Sequence, residues 1–157
     1  MTLDPTARRA NVQDSLKKYF VDNLETIEGI ALNFDRTLEA PALQGTSVDR
    51  WVAVNFDDMQ RSSMSSFTVH LHCAARRDSE GFRLAQLTDT VYGYLKDSTQ
   101  TDGMARIPLY RSRPDGAWTL LDGGIVIQDI IEGGGGTTTD LTKFITLSVR
   151  CRWGAKI

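Results

Sequence analysis

The sequence predicts an α+β fold: a mostly antiparallel sheet, two helices packed on one of its faces, and a long C-terminal β-hairpin. Three observations predict it. Two stretches place apolar residues at helical spacing. Several others alternate apolar with polar residues, the period of a strand buried on one side. The links between those strands are mostly short, which favours antiparallel neighbours. With 157 residues, residues 1–157 are read as a single domain with enough chain for a real core.

The first helix is expected from about residue 5 to residue 22. Asp4-Pro5 suits a first helical turn, and Val12, Leu16, Tyr19 and Phe20 form the apolar stripe. Thr26 to Phe34 reads as a strand through Ile30, Leu32 and Phe34. Residues 35–49, with Pro41 and Gly45, read as a long exposed loop of the kind that often makes interactions. Trp51 to Phe56 is a short strand and Asp57 to Ser63 a polar turn. Ser65 to Ala75 is the clearest central strand: Phe67, Val69, Leu71 and Cys73 face one way, and Ser66, Thr68, His70 and His72 the other.

Asp78 and Ser79 carry side-chain oxygens that can accept from the open amides of a helix start. That helix runs to Leu95 on a stripe of Leu84, Leu87, Val91 and Leu95. Gly93 inside it costs about 1 kcal/mol relative to alanine, which suggests a close contact there. Asp97 to Gly103 is a loop. Ala105 to Arg111 is a strand confined to an edge by Pro108. Pro114-Asp115-Gly116 is a turn, with Trp118 to Leu121 pairing back and Asp122-Gly123-Gly124 interrupting. Ile125 to Glu132 and Leu141 to Trp153 then form the hairpin, with Gly133 to Thr139 as a flexible tip. The second strand alternates Ile145, Leu147, Val149, Cys151 and Trp153 with Thr146, Ser148, Arg150 and Arg152. Such a strand spans roughly 40 Å, about the diameter of a domain of this size. Arms of that length often serve assembly.

Composition narrows the function classes. Apolar content is 41 %, charged content 24 % and net charge −2, so bulk charge predicts no tight nucleic-acid binding. No apolar run has membrane length, and Met1 to Ala10 does not read as a leader. The expectation is a chain made and assembled in a cytoplasm, with no membrane partner. Cys73 and Cys151 occupy inward strand positions and read as small buried hydrophobes.

His70 and His72 share a strand face and could ligate a metal, yet the chain holds no other histidine. The reading is two polar groups on an exposed or inter-subunit face, with no metal and no cofactor. Gly133 to Gly136 lack the lysine and following helix of a phosphate loop. Ser62 to Ser66 form no nucleophile elbow, so no hydrolase triad is expected. Asp57 with Asp58, and Asp129 with Glu132, read as solvated or pore-facing carboxylates rather than a catalytic pair. Arg76, Arg77 and Arg83 form the densest basic cluster. Arg106, Arg111, Arg113, Arg150 and Arg152 lie along strands and suit pairing with a partner's carboxylates. No catalytic, cofactor or metal residue is therefore assigned.

The order of elements resembles the tail terminator family of long-tailed bacteriophages, the minor tail protein U-like proteins. Four pieces carry the resemblance: the amphipathic N-terminal helix; Trp51-Val52-Ala53-Val54-Asn55-Phe56; Ser66-Phe67-Thr68-Val69-His70-Leu71-His72 leading into the helix at Ser79 to Leu95; and the hairpin strand Phe144-Ile145-Thr146-Leu147-Ser148-Val149. The segment at 104–121 and the 35–49 loop depart from it. The resemblance implies a virion protein and not an enzyme. Subunits would form a hexameric ring on the head-proximal end of the tail tube, halt tube polymerisation and meet a neck or head-completion protein. DNA would pass through the lumen without specific binding. The helix at 79–95 and the hairpin at 125–153 are expected to build ring contacts, and the 35–49 loop or the 133–139 tip to touch tube or neck. The other readings are a different head-completion or tail-completion subunit, a small-ligand binding module, or an enzyme built around His70 and His72.

Overall fold

The computed structural model describes residues 8–34, 49–62, 65–111, 118–138 and 141–155. In chain order the elements are α1 (Arg8–Phe20), β1 (Ala31–Phe34), β2 (Arg50–Gln60), β3 (Ser65–Ala75), α2 (Phe82–Tyr94), β4 (Arg106–Arg111), β5 (Thr119–Thr137) and β6 (Lys143–Ala155). The fold is α+β, and the strands form one six-stranded sheet in the order β1-β2-β3-β6-β5-β4. Four of its pairings are antiparallel, and β1 with β2 is parallel. The parallel pair follows from the chain: residues 35–49 are long enough for the crossover that parallel neighbours require. Most of that segment, residues 35–48, lies outside the described residues, as do Asp4, Pro5, Arg113, the Pro114-Asp115-Gly116 turn, Ser63 and Thr139.

The core lies between the helices and one face of the sheet. Val12, Leu16, Phe20 and Leu24 are buried along α1 and its continuation, every fourth residue of one helical face. Leu84, Leu87, Val91 and Leu95 do the same for α2. They join one cluster with Val52, Val54, Val69, Leu71, Leu147, Val149, Ile125, Ile127, Ile107 and Leu109 from the strands. α1 lies against β4, and α2 against β3 with β2 and β6 beside it. Ser15 fastens α1 to β4: its Oγ accepts from the Tyr110 backbone amide at 2.8 Å. Tyr19 donates its hydroxyl to the Tyr94 carbonyl at 2.5 Å, tying α1 to the end of α2. Cys73 and Cys151 are free and buried. Burial pushes both thiols up to about 12, so they remain neutral and inert.

Several boundaries differ from expectation, each for a local reason. After Phe20 the helix widens into a π turn over Val21–Glu25. It closes at Gly29, whose φ is +68° and whose amide donates to the Glu25 carbonyl at 3.0 Å. That left-handed cap delays β1 to Ala31. Asp57 to Gln60 form no turn but continue β2 through a bulge between Phe56 and Met59. α2 starts three residues later than expected, with Gly81 in the left-handed region as its N-cap; Asp78 still serves the first turn from outside, its side chain accepting from amides there, that of Leu84 at 2.9 Å. These amides hold its carboxyl below the usual carboxylate range. Ser79 does not cap; its carbonyl accepts from Lys143 Nζ instead. β4 is an edge strand, as Pro108 required. Asp122 and Gly123 do not interrupt the chain: they swell one continuous β5 where the register with β4 shifts between Pro108 and Tyr110.

The glycine tip is the largest correction. Gly133 to Gly136 lie within β5, and the reversal falls later, where the Leu141 amide returns to the Thr138 carbonyl at 3.0 Å. Gly134 and Gly135 together oppose the single residue Ile145 between Gly133↔Thr146 and Gly136↔Phe144, so the ladder holds one extra residue there. Gly134 has φ +63°, and a Cβ on Gly135 would sit 2.8 Å from the Phe144 carbonyl oxygen. Glycine there lets two backbones meet, and flexibility is not its use. Gly93 shows the opposite: a Cβ added there meets nothing within 4 Å, so the described residues make no close contact at this point.

Two stability measurements follow. Leu147→Ala, at a fully buried site, should cost about 2–5 kcal/mol in urea unfolding; a negligible loss would reverse the assigned face of β6. Gly93→Ala should raise stability by about 0.5–1 kcal/mol, read as a higher unfolding midpoint.

Candidate functional site

The sheet face turned away from the core carries the polar residues, and pairing decides which of them meet. β3 and β6 run antiparallel with His70 opposite Ser148 and His72 opposite Thr146. The two imidazoles therefore lie side by side, with ring centroids 6.2 Å apart. His70 is held at both nitrogens: Nδ1 pairs with Ser148 Oγ at 2.9 Å and Nε2 with Asp57 Oδ2 at 2.9 Å. His72 Nδ1 pairs with Thr146 Oγ1 at 2.8 Å. Asp57 reaches His70 only because the β2 bulge carries the strand on past Phe56. The imidazole contact, with the Asp58 amide behind it, holds the Asp57 carboxyl below its usual range. Half-burial, with the neighbouring His70 adding to it, lowers the His72 pKa.

Ser148, His70 and Asp57 thus form a continuous hydrogen-bonded row across three strands. It has the members of a nucleophile relay, but acyl transfer also needs amide donors aimed at a developing oxyanion. Ser148 sits mid-strand between His70 on β3 and Ile131 on β5, where the surrounding amides are engaged in the ladder. The row cross-links β2, β3 and β6 on the outer face. Among the described residues no group of three or more His, Cys, Asp or Glu side chains is gathered to hold a metal ion.

Two recesses flank the row. One, of about 380 Å³, is lined by His70, His72, Ile131, Thr146 and Ser148. The other, of about 600 Å³, is lined by Asp57 and Asp58 of β2, Thr68 of β3, Arg150 and Arg152 of β6 and, beyond them, Gln128 of β5. Its charges balance, so it favours neither a strongly anionic nor a strongly cationic ligand.

The remaining sequence candidates disperse. Arg83 bridges to Asp49 at 2.9 Å, Arg76 stacks over the Trp51 ring at 5.3 Å, and Arg77 is exposed. Arg106 pairs with Asp102 at 3.1 Å within its own turn. Exposed pairs of this kind contribute little to stability, because water screens them. Asp129 lies opposite Arg150 and Glu132 opposite Leu147, on different faces of β5. Sequence reasoning missed the alignment of Ser148 and Thr146 with the histidines. The signal lay in the shared alternation of β3 and β6, but pairing them needs the register.

No family model and no curated protein matches this chain. Among solved structures, one chain bearing no functional name superposes with a TM-score of 0.55. It is 10 % identical, and the match covers 92 % of this chain and 97 % of that one. At that identity the likeness is one of fold.

A pH series tests the histidine row. His72 has a folded-state pKa below its ordinary value of 6.5. The unfolded chain therefore binds the proton more readily, and stability is lost as pH falls from 6.5 through the folded value. His72→Gln should flatten that part of the stability curve in urea titrations at successive pH values. An unchanged slope would assign the loss to other groups.

Proposed function

We propose that this chain is a structural subunit of a phage virion, a tail-terminator-like protein that closes a ring on the head-proximal end of the tail tube. In this reading it catalyses no reaction and carries no cofactor. The ring ends tube polymerisation and offers its other side to a neck or head-completion protein, and DNA passes through the lumen without specific contacts.

The observation that carries the reading is where large apolar side chains remain exposed. Phe82 and Tyr92 on α2 are 65 % and 40 % exposed. Ile131 and Leu141 on the hairpin are 66 % and 75 % exposed. A ring needs two different surfaces on each subunit, one meeting the other on the next copy. Ile27, Trp118 and Leu120 are exposed as well, but four of these seven residues fall on α2 and the hairpin, the two elements that the resemblance associates with ring contacts. The order of elements adds support: helix, the strand at Trp51, the strand through His70 and His72 leading into α2, then the long hairpin. The outer recess of balanced charge suits a channel lining that lets a polyanion slide past.

Polymerising tube protein of the same tail, with this protein added, provides the test. Electron micrographs should show tubes that stop growing and carry a ring at one end, their mean length falling as the added protein increases. Unchanged tube lengths at stoichiometric excess would overturn the reading. Binding to a head portal instead would move the protein to the head side of the joint.

A further inference from the structure

A third recess lies where the link from β3 to α2 meets the end of the β5–β6 hairpin. It holds about 740 Å³, and its walls include Arg76, Arg77, Asp78, Thr137, Leu141 and Lys143. Three of these side chains are cations and one is an anion. Asp78 is buried and turned to the first turn of α2, where it accepts from the Leu84 amide. Lys143 gives one hydrogen bond to the Ser79 carbonyl at 3.0 Å, which leaves further N–H groups on its ammonium. Arg76 spreads over the Trp51 ring. Arg77 is exposed, and among the described residues its guanidinium has no ion-pair or hydrogen-bond partner. The recess therefore carries an excess of positive charge that its described walls do not balance.

Two left-handed residues frame it. Arg77 at φ +54° and Leu141 at φ +65° are the residues other than glycine with positive φ among those described. The left-handed region strains a bulky side chain, and glycine or asparagine takes it more readily. Leu141 gains little from burial in return, since it is 75 % exposed. A leucine both strained and uncovered does nothing for the stability of this chain. Strain kept at a surface recess, beside an unpaired guanidinium, points to binding.

We infer that this recess docks an acidic, apolar segment of a partner protein, one carboxylate meeting Arg77 and Lys143 and an adjacent apolar side chain covering Leu141. Charge complementarity sets the sign of the partner: three cations line the recess, and the carboxylate of Asp78 is already spent on α2. A guanidinium holds a carboxylate through two parallel hydrogen bonds, and Arg77 presents its fork for them. The apolar wall sets the rest. A bare phosphate would leave Leu141 uncovered. A small ligand would need walls that enclose most of its surface, whereas Arg77 and Leu141 stand open to solvent. A protruding pair of side chains on another protein fits such an open recess, and arginine is a common anchor at the centre of protein interfaces. The inference stands apart from the ring reading and rests on this recess alone.

Fluorescence anisotropy of the full chain tests the docking, with a fluorescein-labelled peptide of alternating glutamate and leucine as the probe. Saturable binding is expected. Arg77→Gln should weaken it about tenfold or more. Leu141→Asn should weaken it too while the unfolding midpoint holds or rises, because asparagine accepts the left-handed region. Arg111→Gln, at an exposed site at the end of β4, should bind as the unaltered chain does. Absence of saturable binding to the unaltered chain would overturn the inference. Equal losses from Arg77→Gln and Arg111→Gln would overturn it in favour of diffuse attraction. A glutamate–serine peptide that binds as tightly, or full displacement of the probe by inorganic phosphate, would reduce the recess to a bare anion site. A tenfold gain from Asp140→Asn would show the chain's own acid competing for the recess, and the inference would fall. Capping is scored on tubes and docking on the probe, so the failure of one leaves the other standing.

Discussion

The pairing of β3 with β6 is the constraint on which the rest of the structure depends. From Ser65↔Trp153 to Ala75↔Lys143 the two strands stay in register without a bulge. A slip of one residue would exchange the faces of both strands at once. Leu71 against Leu147 and Val69 against Val149 belong to the core. His70 with Ser148 and His72 with Thr146 belong to the outer face. The apolar pairs and the histidine pairs thus specify the same register from opposite sides. β2 and β1 extend the sheet from β3, and β5 and β4 extend it from β6.

Much of this was legible in the sequence where a single period ran unbroken. The alternation of Ser65 to Ala75 located β3 to the residue, and the helical stripes of Val12, Leu16 and Phe20 and of Leu84, Leu87 and Val91 located both helices. The pattern misled where backbone conformation, not side-chain burial, set the boundary. Gly29 in a left-handed cap kept Thr26 to Ile30 out of β1. Bulges carried β2 beyond Phe56 and β5 through Asp122 and Gly123. Four consecutive glycines look like a loop because no side chain records a period. Here they lie within a strand, and at Gly135 the missing Cβ lets the Phe144 carbonyl approach.

The candidate site was less legible than the fold. His70 and His72 stood out as the chain's two histidines, but their partners come from two remote segments, Asp57 from β2 and Thr146 and Ser148 from β6. Asp57 was hidden inside an expected turn, and the two hydroxyls were ordinary outward residues of a strand. The basic cluster at Arg76, Arg77 and Arg83 was close in sequence yet splits in space: Arg83 turns to Asp49 and Arg76 to Trp51, while Arg77 is exposed. Contact between remote segments is set by register, which alternation alone does not encode.

The position of β6 in the chain has a kinetic consequence. The central pair of the sheet joins residues such as His70 and Ser148, 78 positions apart, and β6 follows every other element in chain order. During synthesis β2, β3 and α2 emerge long before the strand that completes their sheet. Until β6 arrives, the inner edge of β3 lacks its partner, and Leu71 and Val69 lack half of their cover. Loop closure across that distance precedes any gain from contact, which slows folding of such topologies. The nascent chain therefore passes through a period in which its most apolar strand is open to wrong partners. Cellular folding factors that shelter extended apolar segments would act in that interval.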